Sequence, residues 1–148
     1  MANKLNDLIN ANEHQEYATA TGRATHAQMQ RVFYTDAGWV GNENIINHIS
    51  RIPGIQDFMG PLSRTEVPIA GIVNGKFISR RIDRLYVNFD DKKVVVLDYK
   101  TDINKKQFYK KYCEQLNEYR ELLKQIYNNF DIECKILWLN DFTLENII

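Results

Sequence analysis

In the segment VVVLDYK, Asp98 and Lys100 stand two residues apart. On a β-strand that spacing sends both side chains to one face. They share it with Val94 and Val96, while Val95, Leu97 and Tyr99 point the other way. An acid and an amine at the end of an aliphatic run are costly there unless they pair or bind something. The preceding segment RRIDRLYV carries Asp83, and a hairpin would set it beside Asp98. Two carboxylates at close range repel unless a proton or cation lies between them, and a divalent metal is the physical remedy. The plain alternative is an ion pair, Asp98–Lys100 or Asp83–Lys100, that closes a strand. Two acids and a lysine on adjoining strands favour a site.

Periodicity supplies the elements that must position these groups. Across Ala18 to Phe33, residues Gly22, His26, Met29 and Phe33 fall at i, i+4, i+7 and i+11, one stripe of a helix. His26 on that stripe reads either as a hydrogen-bonded core histidine or as a ligand. A break at Asp36-Ala37-Gly38 precedes a second helix over Glu43 to Ser50, ended by Pro53-Gly54. A short helical piece around Gln56 to Met59 stops at Gly60-Pro61. The first half thus reads as helical, with residues 1–17 a helical lead-in.

The period then falls from 3.6 to 2. Arg64 to Val73 and Lys76 to Phe89 read as strands meeting at Asn74-Gly75, two residues that tolerate positive φ. Lys92 to Thr101 follows the Asp90-Asp91 turn. Gln107 to Asn128 is a long amphipathic helix, Cys134 to Leu139 a last buried strand, and 140–148 a tail. The order is helices, three antiparallel strands, helix, strand. That predicts an α/β (α+β) domain with its core over 18–139. Its mixed sheet has about four strands flanked by helices, because a helical crossover permits parallel pairing of the last strand.

No repeat or linker divides the 148 residues, so one domain is expected. Apolar residues at 44% and charged residues at 26% exclude a disordered chain. Nineteen bases against nineteen acids exclude a uniformly basic nucleic-acid coat. The balance is uneven, however: Lys76 to Lys111 holds eleven Lys/Arg and five Asp/Glu, a net of +6. Such a run is a solvated face or a set of phosphate contacts. No apolar run is long enough to cross a bilayer, and the opening MANKLNDLINANEHQ lacks the apolar core of a signal peptide. Cys113 and Cys134, 21 residues apart, cannot build a four-cysteine zinc or iron–sulfur site. A cytoplasmic setting and no membrane partner are expected.

Five pieces in order now bear on chemistry: Gly22-Arg23-Ala24-Thr25-His26, the stretch RTEVPIAGIV, Ile82-Asp83-Arg84, Asp98-Tyr99-Lys100-Thr101, and Gln115 with Tyr119. In these the chain, from about Gly22 to Trp138, resembles the RecB-type branch of the PD-(D/E)xK nuclease superfamily. It looks most like the C-terminal nuclease domain of AddA-type double-strand-break repair helicase subunits. The resemblance implies a restriction-endonuclease-like core and a Mg²⁺ or Mn²⁺ ion held by His26, Asp83, Asp98 and the backbone carbonyl of Tyr99. A mixed nitrogen and oxygen set suits Mn²⁺ at least as well as Mg²⁺. Lys100 would meet the attacking water or the charge developing on phosphorus. Glu66 would stand at the edge of the centre, its alternative being a solvated acid at a strand start. Gln115 and Tyr119, on one helix face at i and i+4, would bridge the catalytic strand and the nucleic-acid backbone, or serve merely as amphipathic edge residues. Arg84, Lys105 and Lys106 would support DNA.

The implied activity is metal-dependent hydrolysis of DNA, as an exonuclease on single strands delivered by a helicase in recombinational repair. The implied partners are the helicase region of an AddA-like polypeptide and an AddB-like subunit. Two departures stand out: Arg80 lies where relatives usually carry glycine, and the tail after Leu137-Trp138 is unlike theirs. The lack of a cysteine cluster argues against the iron–sulfur branches, and no GxxxxGK[ST] sequence provides a helicase motor. The alternative is a non-cleaving module that binds DNA or docks a subunit.

Overall fold

The computed structural model describes residues 20–148, so the lead-in expected over 1–17 lies outside the described residues. Helix α1 (Ala20–Met29) is followed by a small antiparallel hairpin, β1 (Phe33–Thr35) and β2 (Gly38–Val40). This hairpin corrects the wholly helical reading of the first half. Thr35 Oγ1 accepts from Ala37 N (3.2 Å) and donates to the Gly38 carbonyl (2.9 Å), and Gly38 adopts φ 104°. A side-chain-locked turn therefore forms at the break, and Phe33 leaves the helical stripe. Helices α2 (Glu43–Ile49) and α3 (Ile55–Met59) follow close to their expected bounds. Asn42 caps α2, its Oδ1 accepting from Ile45 N at 3.1 Å.

The remaining strands are β3 (Ser63–Val73), β4 (Lys76–Asn88), β5 (Lys93–Lys100), β6 (Asp131–Trp138) and β7 (Thr143–Asn146), with α4 (Lys105–Ile126) between β5 and β6. They form one five-stranded sheet in the order β3-β4-β5-β6-β7, a mixed α+β arrangement. Only β5 and β6 run parallel, as the helical crossover requires. At the β3–β4 turn, Asn74 and Gly75 both take positive φ (52° and 77°). The fifth strand corrects the expected four: the tail turns back after Trp138 and pairs Leu137 with Leu144.

Each face of the sheet carries its own apolar cluster. Val94, Val96 and Ile82 pack with Leu116 and Leu122 of α4. Val95, Leu97 and Tyr99 pack with Met29, Ile49, Ile55 and Met59 of the N-terminal helices. The uninterrupted aliphatic run of β5 follows from this burial on both sides. Gly71 allows α4 its close approach to β3, because a Cβ there would stand 2.8 Å from Leu122 Cδ2.

Two irregularities shape the middle of the sheet. First, β4 pairs with β5 only over Arg84–Asn88, although β5 continues to Lys100 and β4 reaches back to Lys76. The sheet forks beyond the Arg84–Leu97 pair. Second, β3 and β4 pair in one register on both sides of Glu66 and Asp83, yet these two opposed residues make no ladder pair, and Glu66 has φ 54°. Strict alternation fails there: Ile82 packs in the α4 cluster, whereas Arg84 reaches the α1 side. The kink and the fork coincide.

Candidate functional site

Asp83 sits at the fork. Past the last β4–β5 ladder pair its carboxylate replaces the missing backbone acceptor, taking the Tyr99 amide at 2.7 Å through Oδ2. Its other oxygen, Oδ1, faces His26 Nε2 at 3.2 Å. His26 is 4% exposed and packs edge-on against the Tyr99 ring, centroids 5.5 Å apart. One turn further, just past the end of α1, Gln30 donates to Glu66 Oε1. An i,i+4 pair thus meets a cross-strand pair, His26 on Asp83 and Gln30 on Glu66. Glu66 also faces Arg81 Nη1 at 3.5 Å. Gln30 was not among the sequence candidates, and its position four residues after His26 was the available signal.

The other half of the site lies on the α4 face. Asp98 (2% exposed) and Lys100 (1%) share that face as their spacing predicts, with Nζ 2.9 Å from Asp98 Oδ2. Lys100 Nζ also donates to Gln115 Oε1 at 3.0 Å, and Gln115 Nε2 donates to the Tyr119 hydroxyl at 2.8 Å. The ring of Tyr112 lies beneath the ammonium, 4.4 Å to its centroid, and the Tyr112 hydroxyl donates to the buried carboxylate of Asp102. Gln115 and Tyr119 are therefore core partners of the lysine, Tyr119 being 2% exposed. Tyr112 and Asp102 join them, and the i,i+3 spacing of Tyr112 from Gln115 was their signal.

The supporting cations separate. Arg84, expected as a DNA-binding or supporting residue, is wholly buried. Its Nε donates to the Tyr99 hydroxyl (2.7 Å), Nη1 to Ser63 Oγ (3.1 Å), and Nη2 to the carbonyls of Met29 (3.1 Å) and Val32 (2.7 Å). The Met29 carbonyl ends α1, where it also accepts from Val32 N at 3.2 Å, and the Val32 carbonyl lies in the connection from α1 to β1. Arg84 therefore fastens the helix that carries His26. Lys105 pairs with Asp141 at 2.8 Å and lies over the Trp138 ring, whereas Lys106 is exposed.

Burial pushes the Asp83 carboxyl up. The hydrogen bond and charge of His26, the charge of Lys100 and the Tyr99 amide outweigh it, and the net result lies below the ordinary 3.8. A carboxyl whose folded pKa is depressed favours the folded state at neutral pH, and that contribution fades as pH falls from its unfolded value through the folded one. In EDTA, the stability advantage of the native protein over Asp83→Asn should shrink steadily as pH falls below about 4. Urea midpoints measured from pH 6 to pH 2.5 check this, and parallel curves for the two proteins would remove Asp83 from the acid transition.

Neither a family model nor the sequence of a curated protein matches this chain. The fit of a cation must be judged from the donors themselves. Two ligands at right angles on a cation with bonds of about 2.1 Å stand about 3.0 Å apart. The 3.2 Å between His26 Nε2 and Asp83 Oδ1 matches such an edge. Asp98, on the adjoining strand, is engaged by Lys100. Among the described residues no three His, Cys, Asp or Glu side chains stand together as a metal cluster. Of the expected side-chain ligands His26 and Asp83 stand together, hydrogen-bonded to each other, and a third requires Asp98 to turn from its lysine. The Tyr99 peptide is in place beside Asp83 through its amide. The two cysteines are free, and burial pushes the Cys134 thiol up to about 12. Among the described residues no helix is long and apolar enough to cross a membrane.

Proposed function

We propose that this protein is a metal-dependent DNA nuclease with a restriction-endonuclease-like core. In this reading it hydrolyses phosphodiester bonds in single strands that a helicase delivers. One observation supports the reading: at the end of β5, Asp83 holds the Tyr99 amide and faces His26 on one side of the sheet, while Asp98 and Lys100, which flank Tyr99, pair on the other. A buried lysine held between a carboxylate and an amide is an oriented cation in a low-dielectric wall, suited to charge that develops on phosphorus. His26 and Asp83 would hold Mg²⁺ or Mn²⁺, with Asp98 joining them, and the ion would lower the pKa of its bound water. Asp83 fixes the Tyr99 peptide, Gln115 aligns the ammonium, and Tyr119 orients Gln115. Exposed Lys106, Lys110 and Lys111 on α4 would neutralise phosphates. An AddA-like helicase region and an AddB-like subunit are the partners this reading implies.

The non-cleaving alternative is favoured by one feature, the engagement of Asp98 by Lys100 instead of by a ligand cluster. A cleavage assay on end-labelled single-stranded DNA separates the two. Turnover with Mn²⁺ or Mg²⁺, lost in EDTA and reduced at least about a hundredfold in Asp98→Ala, is the expected result. DNA binding without turnover at any concentration of either cation supports the module.

A further inference from the structure

Beyond the fork, β3 and β4 leave the sheet as a two-stranded ribbon, Val67–Val73 paired with Lys76–Ile82. One face of it is core: Ile69, Val73, Ile78 and Ile82 pack under α4. The other face is bare. Its three cross-strand rows are Ile72–Phe77, Ala70–Ser79 and Pro68–Arg81, and all six residues are exposed. Phe77 is 71% exposed and Ile72 54%, an apolar pair that packs no core. Past Pro68–Arg81 stand Glu66 and Asp83, opposed but without a ladder pair, at the candidate site. Phe77 is six residues from Asp83, about 20 Å along a strand.

We propose that this bare face is a track for single-stranded nucleic acid, with a base stacked on Phe77 and Ile72 at the tip and a phosphate on Arg81 at the base. The ligand class rests on the nuclease reading. Three properties of the ribbon select that occupant. Residues 67–82 contain no Asp or Glu, and of their three cations Arg81 lies on this face, while Lys76 and Arg80 share rows with the core residues Val73 and Ile69. The face carries an exposed aromatic ring, Phe77, and a cation, Arg81, the combination that binds single strands without regard to sequence. Its middle row is small, so a sugar-phosphate backbone approaches the sheet closely. The face is also continuous with the site, so a strand on it is led to the acids. Arg80 is spoken for by Glu118 on α4 at 3.1 Å, which leaves the exposed Arg81, 3.5 Å from Glu66, to meet a phosphate.

Fluorescence anisotropy of a labelled oligo-dT in EDTA tests this without cleavage. Phe77→Ala should weaken binding about tenfold or more. Arg81→Gln should weaken it and lower the slope of log affinity against log salt by about one. Both positions are exposed, and unchanged thermal midpoints confirm that the variants fold. Unaltered affinity in both variants overturns the track. So does a wild-type dimer in sedimentation that Phe77→Ala dissociates, because the face is then an interface between copies. Failure here is separable from failure of the nuclease reading: Phe77-dependent binding without turnover in Mn²⁺ or Mg²⁺ sinks only the nuclease, and turnover with Phe77-independent binding sinks only the track.

Discussion

Lys100→Met is expected to slow phosphodiester cleavage by about 10²–10³-fold while changing the affinity for single-stranded DNA far less. The ammonium is 1% exposed and held on three sides, by Asp98 at 2.9 Å, Gln115 at 3.0 Å and the Tyr112 ring at 4.4 Å. A group so confined contributes little to capturing a strand but much to a charge that appears beside it during reaction. Methionine fills the space and removes the charge. The substitution also leaves the Asp98 carboxylate buried without its cation, which destabilises by about 3–5 kcal/mol in comparable cases. Stability and chemistry must therefore be read apart. The double variant Lys100→Met/Asp98→Asn should recover much of the lost stability and none of the cleavage. Single-turnover rates with saturating Mn²⁺, beside urea midpoints for the three proteins, decide the matter. Cleavage by Lys100→Met at the parental rate would end the proposed role of the lysine.

The largest effect on stability is expected at Arg84. Its guanidinium is wholly buried and donates to four acceptors, among them the last carbonyl of α1 at Met29 and that of Val32 in the connection to β1, and its fork lies 4.7 Å from the centre of the Phe33 ring. Arg84→Met removes every donor at once and strands buried acceptors, each of which carries a desolvation penalty of about 1–3 kcal/mol. With partial relaxation, a loss of about 3–5 kcal/mol is expected, a large part of the stability of a domain this size. Lysine should recover less than half, because one ammonium cannot span the fork of contacts. Denaturant midpoints measure both variants. The same change should loosen His26 from Asp83, since α1 is fastened through Arg84, and protease cleavage within α1 under native conditions reports that loosening. A midpoint for Arg84→Met within about 1 kcal/mol of the parent would show the acceptors rescued by water.

The strand parity of VVVLDYK, the Asn74-Gly75 turn and the i,i+4 spacing of Gln115 and Tyr119 were all legible in the sequence. Each depends on residues near one another in the chain, where backbone period alone sets the direction of a side chain. They were enough to place Asp98 and Lys100 on one face and to call for a helix above it. The β1–β2 hairpin and β7 were not legible. Three- and four-residue strands carry too little period to be told from loops; β7 forms on the edge of β6, and β1 and β2 form on each other across the Thr35 turn.

What the sequence by itself determined was the order of the elements, the parallel pairing that a helical crossover permits, and the pairing of an acid with a lysine on β5. Only the tertiary structure decided that the sheet forks at Asp83 and that β3 and β4 exchange faces at Glu66 and Asp83. It also decided that Arg84 turns inward to hold α1 while its neighbour Arg81 stays in water. The physical reason is that alternation along a strand is a local rule, and a kink at one residue reverses it for every residue beyond. Whether a kink is tolerated depends on what meets the displaced side chains. Here His26 of α1 and Gln30 just beyond its end receive Asp83 and Glu66, and nothing in the sequence of β4 records that helix.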